Sequence, residues 1–183
     1  MPLQPPRPYI WLWKSKCVMK IKVFAWLLFS DMLNTTDMLD RKHCAKENAD
    51  LTCVLCNGGQ RETGLHLFFT RPFSVRCWRH LVITWKQHME FFQMIVLSRL
   101  NFARMGFLEI FFIASWHIWK QRNRFIFQNV VPSFSVMEKP LQKWNSSAYV
   151  QNEGAFRAIS FLIGYNLYNP FLALVTLVFF VHI

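Results

Sequence analysis

Two cysteines two residues apart, Cys53 and Cys56, followed after nine residues by His66, constrain this chain more than any other feature. A thiolate pair with a downstream imidazole is a set of soft and borderline donors of the kind that holds a tetrahedral Zn²⁺, so the segment is expected to close into a tight loop. Asn57-Gly58-Gly59-Gln60 directly after the second thiol supplies the turn, and its glycines are expected to let backbone amides approach the sulfurs. The cysteines number five, and the opening Met1-Pro2-Leu3-Gln4-Pro5-Pro6-Arg7-Pro8 is proline-rich with no apolar h-region. A reducing, intracellular compartment is therefore the expectation. A paired C-x-x-C in such a compartment binds metal more often than it forms a disulfide.

The residues around this segment carry a resemblance. Trp13-Lys14, the run Lys20 to Leu28, Asp31-Met32-Leu33-Asn34-Thr35, Cys53-Val54-Leu55-Cys56, Glu62-Thr63, His66-Leu67-Phe68-Phe69, Pro72-Phe73-Ser74 and Cys77-Trp78 occur in that order. Together they resemble the plant reverse-transcriptase zinc-binding domain, a module near the C-terminus of LINE-type retrotransposon polyproteins and of host genes derived from them. The resemblance covers roughly residues 9–88. A weaker continuation, Trp116-His117-Ile118-Trp119-Lys120-Gln121-Arg122-Asn123, looks like the tryptophan and Arg-Asn segment that often follows the domain. The resemblance implies two cysteines, a histidine and a third cysteine as zinc ligands. The first three fall on Cys53, Cys56 and His66, and the fourth falls on Arg71. Cys77, six residues on, is the candidate substitute if the helix expected from Pro72 turns its first turns toward the ion, while Cys44 and Glu62 match no ligand of the family.

Charge points to partners. The chain has a net charge of +11, from 21 Lys and Arg against 10 Asp and Glu, and such a balance favours polyanions because neutralising phosphates releases counterions. Unspecific binding of RNA or DNA is one expectation. Solubilisation of a chain that is 53% hydrophobic is the other. Enzymatic readings find little support. The four aspartates all lie between Asp31 and Asp50 with no adjacent pair, so the acidic cluster of two-metal nucleotidyl transfer is missing, and no H-E-x-x-H accompanies Glu62 as a hydrolytic base. Cys17 and Cys77 have no surrounding nucleophile motif and read as buried structural cysteines.

The periodicities predict a mainly α protein: a small helical zinc-loop domain at 9–88, a helix-rich extension at 89–130, a linker at 131–160 and a hydrophobic segment at 161–183, behind a Pro-rich disordered leader at 1–8. Ile21, Phe24, Ala25, Leu28 and Met32 predict a first helix from Val18 to about Leu33. Asn34-Thr35-Thr36-Asp37 offers caps for a short helix through Lys42, with Asp37 and Asp40 as capping residues rather than metal ligands. Pro72 suits the first position of a helix running to about His88, with Phe73, Cys77, Leu81 and Trp85 as its stripe. Residues 89–128 read as one or two helices broken near Gly106, and the apolar stretch Phe107 to Trp119 is shorter than the roughly 20 residues a bilayer span needs. Three readings of 161–183 stay open: a tail-anchored membrane helix, a docked core element, or the out-of-context product of a decayed element. The function that follows is a non-catalytic, zinc-binding, nucleic-acid-associated accessory domain, and the competing class is a tail-anchored membrane or protein-interaction protein.

Overall fold

The computed structural model describes residues 7–135 apart from 47, 48, 57, 104 and 105, so the segment at 161–183 lies outside the described residues, as does most of the expected linker. The chain is mainly helical: α1 (Arg7–Lys14), α2 (Met19–Phe29), α3 (Thr36–Arg41), α4 (Pro72–His80), α5 (Phe91–Asn101) and α6 (Phe107–Gln128), with a single π-helical turn at His66–Thr70. Among the described residues there is no β-strand, only an isolated antiparallel bridge between Thr52 and Arg61.

Local chemistry sets most of these boundaries. Thr35 caps α3, its hydroxyl accepting from the Met38 amide at 3.1 Å, and Glu90 caps α5 by accepting from the amides of Phe92 and Gln93. Gly106, at φ 83°, separates α5 from α6 where the break was expected. Three expectations need correction. The leader does not run to residue 8, because Arg7 and Pro8 open α1, whose Leu12 is fully buried and whose Tyr9 ring meets Phe29 at 5.7 Å and Phe92 at 5.5 Å. The helix expected to reach Leu33 stops at Phe29: Asp31 turns left-handed at φ 51°, and Met32 is left 46% exposed. The helix expected to reach His88 stops at His80, because Val82 adopts φ 58° and the Ile83 amide turns back to the Trp78 carbonyl at 2.9 Å. Trp85 therefore reaches the core from a loop, packing on Phe69 at 4.9 Å and Trp78 at 5.3 Å.

The core is aromatic. α2 packs along α6, and the first half of α6 is buried on nearly every side. Phe111, fully buried, touches the rings of Phe29, Phe69, Trp78, Trp85 and Phe107 at centroid distances of 5.4–6.3 Å. Such ring pairs add about 0.5–1.5 kcal/mol each beyond area burial. One cluster thus draws on both the segment at 9–88 and the extension at 89–130. Among the described residues no helix is long and apolar enough to cross a membrane.

Candidate metal centre

The Cys-x-x-Cys segment is held by a narrow backbone closure. The Cys53 amide donates to the Gln60 carbonyl at 2.8 Å, the Glu62 amide donates to the Leu51 carbonyl at 3.0 Å, and the Cys56 amide turns back on the Cys53 carbonyl. Gly59 sits at φ 60°, which a residue with a Cβ rarely adopts. A Cβ on Gly58 would lie 4.0 Å from the Cys56 sulfur, an ordinary contact, so the loop needs glycine for its left-handed backbone and not for room beside the thiol.

His66 reaches this loop from the π-helical turn. Its Nε2 lies 3.3 Å from Cys56 Sγ, and its Nδ1 lies 3.0 Å from the Thr70 hydroxyl. A proton on Nδ1 donated to Thr70 leaves the Nε2 lone pair facing the sulfurs, the arrangement by which an outer partner orients a ligating imidazole. Burial, reinforced by the Arg71 charge and opposed by Glu62, holds the imidazole below its usual pKa and so favours the neutral, metal-binding form. Burial also raises the Cys53 thiol, so an ion binding there must displace a proton.

The structure brings Cys53, Cys56 and His66 together, with one donor atom from each lying within 4.8 Å of the others. Tetrahedral bonds of roughly 2.3 Å to sulfur and 2.0 Å to nitrogen would set donors roughly 3.5–3.8 Å apart, so the set fits three corners of a zinc site after a contraction of about 1 Å at its widest pair. Cys77, the candidate fourth ligand, is not in that group. It is fully buried on α4, where burial pushes its thiol up to about 12. Cys44 is exposed, its thiol directed at the Lys42 carbonyl. Cys17 is buried, and burial pushes its thiol to about 12 as well, the opposite of an activated nucleophile.

Arg71 follows from the geometry of the π turn. Its amide donates to the His66 carbonyl at 2.9 Å, a five-residue span that carries position 71 round to the side of position 66. The guanidinium is fully buried, its carbon 5.2 Å from the Phe73 ring centroid, and its Nε, Nη1 and Nη2 have no hydrogen-bond partner. Its charge acts on Cys53, Glu62, Cys77 and Cys56.

Glu62 is committed to a buried ion pair. Its Oε1 accepts from Arg122 Nη2 at 2.6 Å and from the Thr36 amide at 3.1 Å, and its Oε2 accepts from Arg122 Nε at 3.3 Å. Asp37 and Asp40 form ion pairs with Arg61, and Asp37 also pairs with Arg41. These acids staple α3 to the loop. Sequence reasoning missed the Glu62–Arg122 pair and the Thr70 contact. The first left a trace, since Glu62 and Arg122 stand in two separate runs of the resemblance; the second depends on a π turn that no residue pattern announces.

Residues 4–78 match the family model described as zinc-binding in reverse transcriptase. The match takes in Cys53, Cys56 and His66, the three residues whose donor atoms the structure groups together. The match stops before α5 and α6, although α6 supplies much of the core and the partner of Glu62. No curated protein and no solved structure matches the chain.

Proposed function

We propose that the chain is a non-catalytic accessory module of retroelement type that holds a zinc ion at Cys53, Cys56 and His66 and associates with nucleic acid through charge, without base preference. The observation that carries the nucleic-acid part is a cationic ridge where α2 packs on α6. Lys20 Nζ stands 6.0 Å from the Trp116 ring centroid, and Lys120 and Arg124 follow on α6 at four-residue spacing, with His117 one turn before Lys120 held neutral. Burial lowers Lys20 to about 8 with Lys120 adding to the shift, and burial with the charges of Lys120 and Lys20 holds His117 at about 4. Burial and Arg124 lower Lys120 in the same way. These groups raise one another's potential. Phosphates would relieve that repulsion.

Binding of single-stranded RNA by the full chain should weaken linearly as log K against log salt, and Lys120→Glu with Arg124→Glu should lower the slope by about 2. A flat salt response, or strong preference for one sequence, would overturn the reading. The competing reading, membrane association, rests on the apolar run Phe171 to Ile183. Carbonate-resistant membrane association that disappears when residues 161–183 are removed would favour it.

A further inference from the structure

We infer that the Cys53–Cys56–His66 centre takes a small anion at its fourth position, gripped by the metal on one side and by the Arg71 guanidinium on the other. This rests on the metal reading proposed above. It departs from the family pattern, in which a protein thiolate would close the site.

The argument starts from the cost of Arg71. A guanidinium cannot shed its proton, and a buried cation without acceptors costs several kcal/mol in real proteins. Every nitrogen of this one is buried and unpartnered, in a side chain that is fully out of solvent. Of the groups its charge reaches, the Glu62 carboxylate is already committed to Arg122 and the Thr36 amide. Cys77 is fully buried, and burial pushes its thiol up to about 12, so it supplies no anion, which leaves the sulfurs of Cys53 and Cys56. The π turn bonds the Arg71 amide to the His66 carbonyl, and the Arg71 charge is felt by all three donors of the triangle, Cys53, Cys56 and His66.

Charge then selects the class of ligand. A zinc dication, two thiolates and a neutral imidazole cancel, which leaves the guanidinium charge uncompensated. Water in the fourth position would leave it so, whereas a monoanion would neutralise it and also accept from the fork. The ligand must be small, of azide or carboxylate size, because Phe73 covers the guanidinium and the Arg71 side chain is itself fully out of solvent. Access is from the side of Cys56, which is only half-buried beside the exposed Gly58, Gly59 and Gln60.

The test is the visible spectrum of the full chain loaded with Co²⁺ and titrated with sodium azide at constant ionic strength. The bands of the parent should shift and saturate. Arg71→Met should keep its cobalt and bind azide at least about tenfold more weakly, within the range seen when an outer partner of a metal site is removed, and Arg71→Lys should fall between them. Arg71→Cys should gain thiolate charge-transfer intensity and ignore azide. The proposal is overturned if the loaded parent does not respond to azide, if Arg71→Met binds azide as well as the parent, or if Cys77→Ser removes thiolate intensity from the parent, which would make Cys77 the fourth ligand. A parent that takes up neither cobalt nor zinc overturns the metal reading itself, a result distinct from a loaded protein that ignores the anion.

Discussion

Among the described residues two arginines are buried, and they differ in everything except burial. Arg122 on α6 is 4% exposed and meets Glu62 through two nitrogens and Asn123 through the third, with its carbon 5.1 Å from the Trp119 ring centroid. Arg71 is 0% exposed and meets no acceptor. The first arrangement satisfies a cation and in doing so ties the loop carrying the cysteines to α6. The second leaves a cation beside three candidate ligands. Burial alone therefore says nothing about an arginine's role; the partners decide it.

The same substitution at the two sites should act with opposite sign. Arg122→Met strands the buried Glu62 carboxylate and should cost about 3–5 kcal/mol by urea unfolding, the largest effect expected here. Adding Glu62→Leu should recover most of that loss, since an apolar pair of similar volume tolerates burial where a single charge does not. Equal losses for the single and double variants would show that the pair does not act as a unit.

His117 is a half-buried cation-former that escapes the dilemma by staying neutral. Its folded-state pKa is about 4, set by burial first and by Lys120 and Lys20 next. An unfolded chain titrates near ~6.5. The unfolded state therefore takes up the proton first, and stability falls as pH drops from roughly 6.5 to 4, by about 3 kcal/mol at most, with partial exposure reducing it. Above that window the residue contributes no pH dependence. Urea midpoints at several pH values for the parent and His117→Gln check this; parallel curves would refute it.

For Arg71→Met in the metal-free chain we expect a gain of about 3 kcal/mol, the order of the desolvation cost of an unpaired buried cation. Arg71→Cys should instead raise zinc affinity by roughly tenfold or more in chelator competition and raise the melting temperature only when zinc is present. Equal zinc affinities for the parent, Arg71→Cys and Cys77→Ser would show that neither residue bears on the fourth position. The smallest effect lies away from both arginines. Val82→Gly should stabilise by up to about 1 kcal/mol, because a β-branched residue at φ 58° is strained there and its side chain is 69% exposed.

Local signals carried much of the architecture. The Thr35 cap, Pro72 at the start of α4 and the break at Gly106 act over a few residues and stand where the pattern put them. The left-handed turn at Val82 did not announce itself, because a β-branched residue avoids that backbone; Asp31 is of a type that adopts it more readily, yet most aspartates do not. α1 was hidden behind its prolines, since its folding depends on Phe29 and Phe92, which lie far along the chain. At the candidate site, the triad was legible from spacing chemistry. The inward path of Arg71 was not, because it depends on the widened turn between His66 and Thr70.

That widened turn has an optical consequence. Its two sides are both occupied: His66 and Thr70 hold the edge of the metal triangle, while Leu67, Phe68 and Phe69 enter the aromatic core. The Trp78 indole N–H is clamped to the Phe68 carbonyl at 2.6 Å, and its ring lies flat against Phe69 at an interplanar angle of 11°. An ion drawing in His66 pulls on the same five residues whose backbone polarises this indole. Trp78, one of eight tryptophans, thus lies one hydrogen bond from the element that holds the imidazole, and in a variant that keeps only this indole an ion bound at the centre is expected to change its emission.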